Sequence, residues 1–245
     1  MTEEAIEINA PDGAVDAYYY VSAAGSGPGV IFLTDIRGVR EATRQMAARI
    51  AQDGYSVLLP NVFYRTRRPP AFDFPFVFGE ERTMQRFAAL TTPLTPEACA
   101  RDADAFSRAL LKMPGVQQGK IGVLGHCFTG PIALRYAAEC PERVAAAVSF
   151  HGGHIVTDAP TSPHLVLPRV RASLYFAHAQ NDGLMPGDRI ATLEQALAAW
   201  GGNYESETYA GARHGWTALD APVYNKELAE RARAKMLDLF ARTLR

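Results

Sequence analysis

The stretch from Lys120 to Gly130, KIGVLGHCFTG, constrains the fold more than any other part of the chain. Ile121 to Leu124 is a short, continuous apolar run of the kind found in a strand buried on both faces. It passes directly into a helical stretch with Cys127 at the turn and glycines at 125 and 130. Small residues are needed where strand and helix backbones nearly touch, and so sharp a turn lifts one side chain above the sheet edge. The pattern departs from G-x-nucleophile-x-G at one point: position 129 is Thr, and the second glycine comes one residue late. A thiol at a helix N-terminus meets unpaired N–H groups and the positive end of the helix dipole, both of which favour the thiolate. Cys127 is therefore a candidate nucleophile. The alternative is a buried structural cysteine, a common fate for this residue type.

The rest of the chain repeats the alternation of strand and helix. Ile6 to Asn9 and Ala14 to Val21 flank a Pro11-Asp12-Gly13 turn and predict a hairpin. Strands follow at Val30 to Leu33, Tyr55 to Leu59, Ile121 to Leu124, Val144 to Phe150, Ala172 to Ala177 and Tyr204 to Tyr209. Helices are expected at about 41–53, 96–112, from the elbow to 139, 187–200 and 224–244, with Thr95 and Pro96 as N-cap and first residue of the second. This rhythm predicts an α/β fold with a mainly parallel sheet and helices on both faces, and places a ligand at the carboxyl ends of the strands. One domain over residues 1–245 is expected, interrupted at about 60–95 by a segment with little periodicity. That segment carries seven Phe or Tyr from Phe63 to Phe87 and reads as an ordered aromatic flap.

Composition excludes several classes. Three cysteines, Cys99, Cys127 and Cys140, form no CxxC pair and leave an odd count, which fits a reducing compartment rather than a disulfide scaffold. The acidic start, Met1 to Ala5, has no apolar core of a secretory signal, and no apolar run approaches a membrane span, so a cytoplasmic location is expected. Net charge is −1, which gives no long-range attraction to nucleic acid. Arg65, Arg67 and Arg68 form a local basic cluster, but only four of the 25 basic residues are Lys, so arginine there reflects general usage.

A nucleophilic thiol needs a base, and the base needs an orienting acid, each in a turn beyond a strand. Asp182 lies in HAQNDG after the strand ending at Ala177, and His214 in AGARHGW after the strand ending at Tyr209. The order Cys, Asp, His is that of the α/β-hydrolase triad. Asp182 before a glycine also suits a plain turn former, and His214 a solvated loop histidine. His126, beside the nucleophile, is expected to point away from the sulfur. Two other chemistries use some of the same residues. A glutamine-amidotransferase-like cysteine enzyme carries its acid two residues after the histidine, which here is Trp216. A metal hydrolase built on His151, His154, His164, His178 and Asp158 would need ligand spacing that the loop HGGH does not offer. A non-catalytic small-molecule-binding protein on the same fold is the remaining alternative.

Over nearly its whole length the chain resembles the dienelactone hydrolase family. The likeness runs through IFLTDIRG (31–38), PNVFYR (60–65), the elbow, SFHGG (149–153), SPH (162–164) and HGW (214–216). The resemblance implies an α/β-hydrolase fold and a Cys127, Asp182, His214 triad that hydrolyses esters or lactones through an acyl-thioester, with no cofactor and no metal. It implies an oxyanion hole from the backbone N–H groups of Ile36 and Phe128, and an acidic residue near the thiol at Asp35, where the family more often has Glu. Arginines hold a substrate carboxylate in the family. No Arg stands in the segment just after His214, where the chain offers Trp216, Thr217 and Asp220, so Arg37 and Arg82 are the candidates, with Tyr64 and Trp216 against an apolar or planar substrate. The expected partner is a small-molecule ester or lactone, with neither nucleic acid nor membrane involved; the oligomeric state stays open.

Overall fold

Five-residue apolar segments that are buried at every position must lie in the interior of a sheet, and β3 (Gly29–Leu33) and β4 (Ser56–Pro60) are such segments. In the computed structural model, which describes residues 3–244, they pair in parallel with Ile31 opposite Leu58. Helix α1 (Glu41–Gln52) is the crossover between them and packs on β4. The hairpin of β1 (Glu3–Ala10) and β2 (Gly13–Tyr20) is antiparallel, with Ile8 opposite Val15, and β2 continues antiparallel onto β4. Met1, Thr2 and Arg245 lie outside the described residues, so the reading of the chain start applies to the structure only from Glu3.

The chain divides into two compact units at Gln117/Gln118. The first, just described, also holds α2 (Glu81–Thr91) and α3 (Pro96–Leu111). Helix α3 starts as expected, with the Thr95 hydroxyl accepting from the Ala98 N–H at 3.2 Å and Pro96 in the first turn. Helix α2 falls inside the segment expected to lack periodicity. It buries only Thr83 and Leu90, and Glu80 ahead of it makes no side-chain cap, so neither of the usual sequence signals is present.

The second unit is a parallel sheet in the order β5 (Ile121–His126), β6 (Val144–Phe150), β7 (Ser173–Asn181), β8 (Tyr204–Arg213). Helix α4 (Gly130–Glu139) links β5 to β6, α5 (Gly187–Trp200) links β7 to β8, and α6 (Lys226–Thr243) closes the chain. Strand pleating shows that α4 and α6 cover opposite faces. A Cβ on Gly122 would meet Phe240 and Leu244 at the end of α6, whereas one on Gly125, an odd number of residues away, would meet Thr129 and Gly130 at the start of α4. Strands β7 and β8 run several residues further than their apolar runs, to Asn181 and Arg213. Asp182 and His214 consequently stand at the very tips of adjacent strands, whose last paired residues are Asn181 and Arg213. Among the described residues, no helix is long and apolar enough to cross a membrane.

Candidate active site

Strand β5 ends at His126, and Cys127 takes a left-handed backbone conformation with φ of 58° before a single 3-10 turn over Cys127–Thr129 leads into α4. That conformation is costly for a residue with a Cβ and is found where surrounding structure enforces it. Two close backbone approaches flank it. A Cβ at 125 would sit 2.2 Å from the Thr129 carbonyl oxygen, and one at 130 would sit 2.3 Å from Ser149 Oγ and 2.7 Å from Gly152 Cα. The second close approach is therefore made by residue 130, against the end of β6, which explains why the glycine comes one place late. Thr129 gains a use for its side chain: Oγ1 accepts from the His126 N–H at 2.8 Å and donates to the His126 carbonyl at 2.9 Å, tying both ends of the turn.

Above this turn the three residues singled out in the sequence meet. His214 Nε2 lies 3.0 Å from Cys127 Sγ, and its Nδ1 lies 2.7 Å from Asp182 Oδ2. The other Asp182 oxygen accepts from the Leu184 N–H at 2.9 Å, so a carboxylate whose side chain is 1 % exposed has a partner on each oxygen. Burial disfavours the charged imidazole, but the hydrogen bonds to Asp182 and Cys127, with the charges of both, outweigh it and raise the His214 pKa to about 10. An imidazolium between an acid and a sulfur can hold a thiolate and can hand its proton to a leaving group.

The remaining expectations distribute unevenly. Phe128 follows the nucleophile within the 3-10 turn. In the first unit, Ile36 is buried, and the Asp35 oxygens take two hydrogen bonds from the Arg40 guanidinium, at 2.7 and 2.8 Å, and one from the Arg37 N–H. Tyr64 donates to Asp102 at 2.8 Å and packs beside Phe106. Arg82 is exposed and lies 3.9 Å above the Phe74 ring. Trp216, expected against a planar substrate, has no exposed surface and lies against the Tyr209 ring, tilted by 32° with centroids 4.6 Å apart, so it is part of the core. The His126 ring stands edge to face with Phe150, with centroids 5.3 Å apart.

The basic cluster is neutralised by acids: Arg65 by Asp12 and Asp102, Arg67 by Asp73, and Arg68 by Asp16 and Glu7. The histidines weighed as metal ligands are dispersed. His151 bonds Thr217, His164 bonds Ser162, and His178 stacks on Phe176, while Asp158 pairs with Arg189. Among the described residues no group of three or more His, Cys, Asp or Glu could hold a metal ion. The sequence reading missed the ties made by Thr129 and the closeness of His151 to His214. The position of His151, first after a strand at the same sheet edge, was the available signal.

The dienelactone hydrolase family model matches residues 15–244. The carboxymethylenebutenolidase of Rhodococcus opacus is 31 % identical over 200 residues, covering 80 % of this chain and 73 % of its own. The carboxymethylenebutenolidase homolog of Mus musculus is 29 % identical over 231 residues, covering 91 % and 86 %. A crystal structure from Klebsiella pneumoniae subsp. pneumoniae superposes with a TM-score of 0.84 at 25 % identity, covering 98 % of this chain and 99 % of that one. With its parallel strands, its elbow and a family match reaching from β2 to the end of α6, the chain belongs to the dienelactone hydrolase family and has the α/β-hydrolase fold.

Proposed function

We propose that this hydrolase cleaves carboxylic esters or lactones with Cys127 as nucleophile, His214 as proton carrier and Asp182 as the group that orients and charges His214. The observation that carries the reading is the single imidazole bridging a buried carboxylate at 2.7 Å and a sulfur at 3.0 Å. In the first half-reaction the Cys127 thiolate attacks the carbonyl carbon, forming a C–S bond. The C–O bond to the alcohol then breaks, and His214 gives its proton to the departing alkoxide. In the second, His214 takes a proton from water, the hydroxide adds to the thioester carbonyl, and the C–S bond breaks to release the acid and restore the thiolate. The Phe128 N–H, one residue past the nucleophile, is assigned as a donor to the developing oxyanion; losing such a donor typically costs about 3 kcal/mol of transition-state stabilisation. Small-molecule esters and lactones are the substrate class, in line with the names of the relatives.

The test is a turnover screen of aryl esters and lactones with wild-type protein and Cys127→Ala, with mass spectrometry of rapidly quenched protein. An acyl adduct on the peptide carrying Cys127, absent in Cys127→Ala together with turnover, supports the reading. Undiminished hydrolysis by Cys127→Ala refutes it.

A further inference from the structure

The loop after β6, His151-Gly152-Gly153-His154, touches each of the three segments that carry the triad. The Gly153 N–H donates to the Cys127 carbonyl at 3.2 Å, and the His154 N–H to the Leu184 carbonyl at 2.9 Å, two residues beyond Asp182. His151 approaches the third segment with its side chain. Its Nε2 lies 2.8 Å from the hydroxyl of Thr217, three residues after His214, and its ring stands edge to face with the His214 ring at 5.1 Å and 72°. The backbone at His151 is left-handed, with φ of 39°, and its N–H is held by the Ala177 carbonyl at 2.8 Å. A non-glycine residue kept in that region costs on the order of 1–2 kcal/mol, and such outliers gather at functional sites.

We infer that His151 is a positioning residue for His214: tied to Thr217 on the base's own loop, its ring fills one side of the imidazole and keeps it in line between Asp182 and Cys127. The inference rests on the triad reading above. Two hydrogen bonds hold the His214 nitrogens but leave the ring free to tilt about the line joining them, and a packed neighbour removes that freedom. The neighbour must not itself be cationic, since a second positive charge would oppose the imidazolium. Burial, then the nearby His214 and His126, push the His151 pKa well below the ordinary value, so the ring is neutral. Among the described residues, Asp182, Cys127 and His151 are titratable groups that face His214, and His214 and His126 face His151.

The experiment compares wild type, His151→Asn, Thr217→Val and Cys127→Ala. Asparagine tolerates a left-handed backbone and so removes the ring with little disturbance, while valine removes only the hydroxyl. The readouts are kcat and KM for an aryl acetate from pH 5 to 11, the iodoacetamide labelling rate of Cys127 over the same range, and the thermal midpoint. Both His151→Asn and Thr217→Val should lower kcat roughly tenfold to a hundredfold, the scale for a misplaced catalytic group, with KM within about twofold. Both should also move the alkaline limb of the labelling profile to lower pH, because a tilted imidazole is less well paired. A kcat within about twofold of wild type with an unmoved limb overturns the inference, as does a loss that only follows a falling thermal midpoint. Full activity of Cys127→Ala defeats the triad reading instead, and in that case the labelling profiles alone decide whether His151 positions His214.

Discussion

Cys127, Cys99 and Cys140 are all buried, at 8, 2 and 4 % exposure, so accessibility does not distinguish them strongly; their partners do. The Cys99 Sγ faces the Leu94 carbonyl at 3.7 Å and the Cys140 Sγ accepts from Arg143, whereas Cys127 faces a histidine charged through Asp182. Iodoacetamide should label Cys127 first, because it alone of the three faces an imidazole that is itself held by a carboxylate, and peptide mapping at pH 7 checks it. His214→Ala and Asp182→Asn should both abolish most turnover, Asp182→Asn by roughly a thousandfold or more, the scale for an acid that sets the tautomer of its base. His126→Ala, whose ring packs on Phe150, should leave more activity than either, as steady-state assays of the three would show. Substrate charge rests on the arginines. Asp35 engages Arg40, and Arg82 is an exposed guanidinium over Phe74. Neutral aryl esters should be turned over at least as well as acidic lactones. A preference for the acid that disappears in Arg82→Ala would reverse that expectation.

The elbow depends on two close approaches and one side-chain tie, and each is open to a single substitution. Gly125→Ala drives a methyl into the Thr129 carbonyl oxygen at 2.2 Å, and backbone atoms cannot step aside as a flexible side chain can. The cost should reach the ~1–3 kcal/mol of an overpacked core or exceed it, measured by urea unfolding. Thr129→Val keeps the shape but removes both hydrogen bonds between the residue 129 side chain and His126, for about 0.5–1.5 kcal/mol each. If Thr129→Val instead matched wild type in stability, the account of why this chain places Thr before its glycine would be wrong. Helix α2 belongs at the other extreme. With two buried side chains it should be among the first segments to exchange amide hydrogens, well ahead of α4, which buries most of its residues.

Taken over the whole molecule, the buried histidines make stability depend on pH from both sides. His178 is buried and its pKa falls to about 4, against the opposing pull of Asp182; His151 is lowered as well. The unfolded chain takes up these protons below about 6.5, so stability present above that value is lost as pH falls toward 4, on the order of 3 kcal/mol for His178 alone. His214 acts in the opposite sense. Its folded pKa of about 10 lies above the unfolded value, so its contribution is complete below about pH 6.5 and is lost as pH rises through 10. Urea titrations at pH 4.5, 6.5, 8 and 10 should show a maximum in the middle, with His178→Phe flattening the acid side and His214→Ala the alkaline side.

The strands and most helices could be read from the chain because each has a local cause: continuous apolar runs, Thr95-Pro96 at the start of α3, and one cysteine at a strand-to-helix break. Even Asp182 and His214 follow from position, since a residue just past a parallel strand must emerge at the carboxyl edge. Other features have no local cause. Helix α2 buries too little to show a period, and Trp216 becomes core only because Tyr209 lies beneath it. Asp35 is bound by Arg40, and Thr129 replaces the expected glycine because the close approach to β6 falls on residue 130. His151 comes to rest against His214 although 63 positions separate them, as numbered in the chain. Local sequence can set where a strand ends and which side chain stands at its tip. Which tips become neighbours, and which polar groups they bind, depends on strand order and packing between segments distant in the chain, and that is fixed only on folding.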